Sequence, residues 1–412
     1  MMDSKSHATR KRMLSNIYSK NHVISSPTTP ETTKAIIFGR LLPLVQRNVE
    51  VGKPIETLSL SYAYSMDSFM AYQYGLSLAS NFIEDTQQRD WYLRNFFSPR
   101  PHLFWITEVP GFTALARKFG LKLFPEHASN SIKELEDWTL GICDKAEKQL
   151  SNDVEFEAAN TPVVFAQHRT SLQNQSRDLK GKLDPNLLPI EQPYPARLEI
   201  ASDMHCHSAA AIETSGDTLA YVYYELSRRP DLQKRLREEV SSVTPNLIFP
   251  LPEGQTLELP KFKNIDALPL LDAIIQETLR KWPAVPGGQP RVTPSSGCKL
   301  AGYNNIPAGV RVQASAYALH KNPEVFPEPD EWKPERWLNA TPTELVEMRH
   351  WFWAWGSGGR MCIGRNFAMH CKVYSPDSTL SSQKLTYRVS DEIRYCKYLH
   401  ELHNFDSRHG WY

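Results

Sequence analysis

Apolar residues recur at helical spacing from Thr33 to Val49 (Ile36, Ile37, Leu41, Leu44, Val45) and again from Leu58 to Leu78 (Tyr64, Met66, Met70, Tyr74), which predicts two amphipathic helices. The same period returns over Ser131–Leu150. Between Lys180 and Pro195 it gives way to a polar, proline-punctuated stretch, expected to be a long surface connection. Arg197 to Arg228 then reads as one long helix that Pro230 cannot continue, and Pro230-Asp231 can open the next, running to Val240. A further helix is expected over Leu271–Lys281, stopped by Pro283. Only Cys298–Ala318 switches to strand character, with Tyr303-Asn304-Asn305 as a turn between short apolar runs. The pattern predicts a mainly α fold with a minor β-sheet and contains no internal repeat.

Composition agrees with a folded chain. At 412 residues it can bury a large core, as one big domain or two ordinary ones, and 41% hydrophobic with 23% charged residues lies far from disordered or fibrous classes. A net charge of +1 lacks the basic footprint of a nucleic-acid binder, so no nucleic-acid partner is expected. The six cysteines (Cys143, Cys206, Cys298, Cys362, Cys371, Cys396) show no paired spacing of the zinc or disulfide kind, which suits a reducing compartment. Met1–Lys20 mixes Lys5, Arg10, Lys11 and Arg12 with isolated apolar residues, unlike a signal peptide or anchor, and no apolar run is long enough to span a bilayer.

The candidate chemistry lies in Trp355-Gly356-Ser357-Gly358-Gly359-Arg360-Met361-Cys362-Ile363-Gly364. Gly358 and Gly364 permit backbone conformations that lie flat against a planar ligand, and Arg360 can reach an anionic group on it. Arg365 to His370 is helix-compatible, which places the Cys362 sulfur at a helix N-terminus, where free amides and the dipole favour a thiolate. A chance match at the six specified positions is on the order of 10⁻⁸ per start position from average residue usage. The alternative is a structural cysteine in a glycine-rich turn.

At these residues the chain resembles the cytochrome P450 family, the haem-thiolate monooxygenases. The resemblance implies haem b held by Cys362 as axial ligand of the iron, with Trp355, Gly358 and Gly364 shaping the loop and Arg360 on a propionate. Further matches follow the family's order. Ala210-Ala211-Ile212-Glu213-Thr214-Ser215 looks like the oxygen-activating segment, with Ala211 where glycine is commoner. Thr214 can bond back to the Ala210 carbonyl and open the helix into a groove, where Thr214 and Glu213 would relay protons. Glu277 and Arg280 sit three apart on a helical face, and Trp332-Lys333-Pro334-Glu335-Arg336-Trp337 would supply Arg336 as third member of a buried structural cluster. Arg291 falls where the family places another propionate ligand. His7 and Lys11 match the third helix's propionate pair, with His and Lys in place of the commoner Trp and Arg. His205-Cys206-His207 is not a metal site, because adjacent helical residues point apart.

The resemblance carries further expectations: a small hydrophobic organic substrate, O2, electrons from NADPH through a flavoprotein reductase, and secondary metabolism of a fungal type. A full-length relative would sit on the cytosolic face of the endoplasmic reticulum through an N-terminal anchor missing here. A haem-thiolate isomerase or dehydratase and a non-catalytic haem-binding remnant are the competing readings. The cytochrome P450 domain is expected over 1–370, starting near the third helix and so incomplete at its front. Residues 371–412 form an atypical tail in which Pro376 would end the helix behind the cysteine, as expected of a foreign reading frame or retained intron.

Overall fold

The computed structural model describes residues 4–152, 155–180, 196–245 and 249–372. Apart from Lys180, the last residue of a helix, the expected connection up to Pro195 lies outside these residues, as does the tail after Lys372. The described residues divide into two compact units, those up to Gly216 with Asn366–Cys371, and Asp217–Arg365 with Lys372.

The first unit is helical among its described residues. Its elements are α1 (Ser4–Leu14), α2 (Lys20–Ser25), α3 (Thr28–Thr33), a π-helical stretch Lys34–Leu41, α4 (Leu42–Glu50), α5 (Thr57–Tyr74), α6 (Thr86–Phe97), α7 (Leu103–Thr107), α8 (Pro110–Lys118), α9 (Glu126–Ser151), α10 (Val163–Lys180) and the first part of α11 (Ala196–Ser227). The helix expected over Thr33–Val49 is therefore three segments. Its middle is wound as a π-helix, which buries the adjacent Ile36, Ile37 and Phe38 together.

The helix read as amphipathic over Leu58–Leu78 is instead buried on every side from Ser61 to Tyr74. Three of the polar positions, Ser61, Asp67 and Gln73, find partners inside, whereas the buried Ser65 hydroxyl has none among the described residues. Ser61 Oγ donates to the Thr57 carbonyl (2.7 Å) and Gln73 Nε2 to that of Met204 (3.2 Å). Asp67, fully buried, accepts from Ser80 Oγ (2.6 Å) and the amides of Phe82 (2.8 Å) and Ile83 (3.1 Å), knotting the returning chain onto the helix. Gly75 then ends α5 at φ 83°, where a Cβ would stand 2.2 Å from the Asn160 carbonyl oxygen.

The second unit continues α11 and adds α12 (Pro230–Ser241), α13 (Phe262–Ile265), α14 (Pro269–Lys281), α15 (Ala316–His320), α16 (Glu335–Leu338) and α17 (Pro342–Trp351). β1 (Gly288–Val292) pairs antiparallel with β4 (Arg311–Ser315), and β2 (Cys298–Leu300) with β3 (Tyr303–Ile306). The β2–β3 turn is Ala301-Gly302, both at positive φ (50° and 82°) as a two-residue hairpin turn requires. Tyr303-Asn304-Asn305, expected as the turn, is strand, and Asn305 (φ 57°) lies where the pairing is irregular. Strand character also stops at Ser315, whose hydroxyl caps the Ala318 amide and starts α15. A short helix, α18, spans 365–372.

Candidate functional site

Burying a charged pair requires that every donor and acceptor be used, and α14 meets this condition. Glu277 and Arg280, three apart, are 0% and 1% exposed. Arg280 donates through Nε and one terminal nitrogen to Glu277 (2.9 and 2.8 Å), and its remaining N–H groups go to the carbonyls of His320 (3.1 Å), Pro329 (2.8 Å) and Glu331 (2.9 Å). Glu277 also accepts from the Lys333 amide and Trp337 Nε1, both at 3.0 Å. Arg336, the expected third member, stands with Nε 3.6 Å from Glu277 Oε2, an ion pair beyond hydrogen-bond contact, while its terminal nitrogens donate to the carbonyls of Pro327 and Glu328. Burial lowers its pKa, with Glu277 opposing. Trp337 therefore makes the direct bond that Arg336 was expected to make.

His320 fastens this cluster to the cysteine-bearing segment. Its ring, 0% exposed, donates from Nδ1 to the Arg280 carbonyl (2.9 Å) and accepts the Trp353 N–H at Nε2 (2.8 Å), an arrangement open only to the neutral ring. Burial correspondingly lowers its pKa to about 4. The ring stacks on Phe352 at 5.2 Å with 13° between planes.

From Trp353 the chain enters the glycine-rich loop. The Trp353 carbonyl accepts the Gly356 N–H and the Trp355 carbonyl accepts the Cys362 N–H, both at 2.9 Å. Gly356 and Gly358 take positive φ (66° and 65°), and Gly358–Arg360 makes one 3₁₀ turn. A Cβ at Gly358 or Gly359 would meet nothing within 4 Å, and one at Gly364 would touch only Cys362 Sγ at 4.0 Å. Arg360 and Cys362 are exposed, and α18 begins three residues after the cysteine. Lys372 Nζ lies 4.7 Å above the Trp355 ring. Arg291 is exposed on β1 opposite Val312. A soft sulfur donor on a glycine-lined, open loop face fits a haem iron and the porphyrin plane around it.

Glu213 and Thr214 lie in the first unit on α11. Thr214 Oγ1 donates to the Ala210 carbonyl at 2.7 Å, the expected back-bond, and α11 is assigned as α-helix through this point. Both Glu213 oxygens accept from Arg100, whose guanidinium lies 4.8 and 4.7 Å from the centroids of the Phe96 and Phe97 rings. His7 and Lys11, one turn apart, are half-buried on α1. His205 Nδ1 meets Thr139 Oγ1 at 3.2 Å, and His207 Nδ1 meets the Tyr18 hydroxyl at 2.9 Å. Trp337, His320 and Arg100 were not found by sequence reasoning. Trp337 alone carried a signal, standing next to Arg336.

Comparison with known proteins bears on the same segments. The sequence profile of the family described as Cytochrome P450 matches residues 125–372, more than half of the chain. Cytochrome P450 monooxygenase hkm5 of Aspergillus hancockii is 38% identical over 159 residues, 39% of this chain and 29% of that protein. Cytochrome P450 monooxygenase avaI of Aspergillus versicolor is 24% identical over 383 residues, 90% of this chain and 80% of its own. Cytochrome P450 3A6 of Oryctolagus cuniculus is 25% identical over 339 residues, 80% of this chain and 59% of its own. The chain thus spans less than a third of one of these relatives and about three fifths of another.

Proposed function

Because the chain belongs to the cytochrome P450 family, we propose that it is a haem-thiolate monooxygenase that inserts one oxygen atom of O2 into a small hydrophobic organic substrate, with residues 1–370 as its cytochrome P450 domain. The observation that carries the reading is the Cys362 loop: an exposed thiol among glycines, its amide bonded to the Trp355 carbonyl, leading into α18. Haem b, when bound, supplies the iron at which dioxygen is activated, and a thiolate ligand favours O–O cleavage. Cys362 is the residue that holds the iron. Arg360 and Arg291, with His7 and Lys11 on α1, are the cations for the propionates, and Trp355, Gly358 and Gly364 keep the loop flat. Glu277, Arg280 and Arg336 are structural.

Proton delivery falls to Thr214 and Glu213. The carboxylate, 23% exposed, exchanges protons with solvent, and the hydroxyl passes one onward by turning away from the Ala210 carbonyl. Electrons come from NADPH through a separate flavoprotein reductase on the cytosolic face of the endoplasmic reticulum. The fungal relatives are named monooxygenases, and a fungal secondary metabolite or foreign apolar compound is the substrate class that fits. Purified protein with a reductase should consume NADPH in a substrate-dependent way, and Thr214→Ala should keep consuming it while forming less hydroxylated product. Conversion of substrate without reductase or NADPH would overturn the monooxygenase reading in favour of an isomerase or dehydratase.

A further inference from the structure

Cys362 and the Glu277–Arg280 cluster are separated along the chain, and one side chain bonds both to Arg280 and to the segment leading to Cys362. His320 is that side chain within the second unit. Arg280 and His320 clasp each other twice, Arg280 donating to the His320 carbonyl (3.1 Å) and the His320 ring donating to the Arg280 carbonyl (2.9 Å). Arg280 has no freedom to yield, since all five of its N–H groups are engaged. The opposite edge of the ring accepts the Trp353 N–H at 2.8 Å, and two residues later the Trp355 carbonyl receives the Cys362 N–H at 2.9 Å. Phe352 stacked at 5.2 Å and Phe326 edge-on at 6.2 Å hold the plane of the ring, and its two hydrogen bonds set which edge faces Trp353.

We infer that His320 is a positioning residue for the metal-ligating cysteine: its Nε2 lone pair, aimed by Arg280, sets the path of residues 353–355 and through them the orientation of the Cys362 loop. The inference rests on the functional reading above, in which Cys362 binds the haem iron. A residue that only filled space would need the ring's volume and not its lone pair. Asparagine and glutamine separate the two ring nitrogens, since asparagine reaches the Nδ1 position and its bond to Arg280, whereas glutamine reaches the Nε2 position and can accept from Trp353.

The test compares His320→Asn and His320→Gln with wild type, each purified with haem, by thermal melting, haem content and the carbon monoxide difference spectrum of the reduced protein. The expected result is two variants that melt cooperatively and bind haem, of which glutamine keeps the thiolate-type Soret band and asparagine loses it. Equal bands in the two variants, the reverse order, or failure of both to fold would overturn the inference and leave His320 a core residue. A wild-type protein without haem or without a thiolate-type band would overturn the functional reading, and this inference with it.

Discussion

Glu277 accepts four hydrogen bonds while wholly out of water, two from Arg280 and one each from Lys333 and Trp337. Removing it strands a buried guanidinium, which costs roughly 3–5 kcal/mol. Glu277→Ala should therefore melt well below wild type and fail to retain haem, measured by thermal unfolding and the haem-to-protein ratio. Full haem content in that variant would contradict the structural role. Glu277 and Arg280 were legible because two helical residues three apart share a face and need no tertiary information. Trp337 and His320 were not, because their partners lie 60 and 40 residues away and only packing brings them together. Glu213 shows the same limit. Its place beside Thr214 is local, but its clamp by Arg100 spans 113 residues.

Among the elements, α11, α12 and α14 lie within two residues of the expected boundaries, since proline and the apolar period fix them locally. α5 departs from expectation because a period-based reading assigns polar residues to solvent, whereas Asp67 and Gln73 serve as buried acceptor and donor. The packing of α5 on α11 also depends on one absent side chain. A Cβ at Gly216 would fall 2.3 Å from Tyr62 Cδ1 and 3.1 Å from the Tyr62 amide nitrogen, so a larger residue forces the helices apart. Gly216→Val should destabilise the protein by about 2 kcal/mol in urea unfolding, within the range for overpacked cores. The penalty should shrink in a Tyr62→Ala background, a coupling that a double-mutant cycle measures. A full, unchanged penalty there would place the strain elsewhere.

At the scale of the whole molecule, several histidines are buried in uncharged form. Burial lowers His207 and His320 to about 4 and His370 to about 3, against an ordinary 6.5. The unfolded chain therefore binds more protons between pH 6.5 and 4, so folding stability is present above 6.5 and is lost as pH falls through that window. His320 alone contributes on the order of 3 kcal/mol. Unfolding free energies measured from pH 7 to 4 should decline, and His320→Gln should flatten the decline; a flat wild-type profile would refute this. The glycine-rich segment around Cys362 and the Glu277–Arg280 pair could be picked out in the sequence, and the family profile extends over both. The His320 bridge between them could not, because it joins a side chain to the Trp353 amide and the Arg280 carbonyl, backbone groups that carry no residue signature. The central claim is that Cys362 ligates the iron, and it is tested most directly by the carbon monoxide difference spectrum of reduced wild-type and Cys362→Ser proteins. Wild type should show the thiolate-type Soret band and the serine variant should lose it. A haem-loaded wild type without that band, or a serine variant that keeps it, would contradict the assignment.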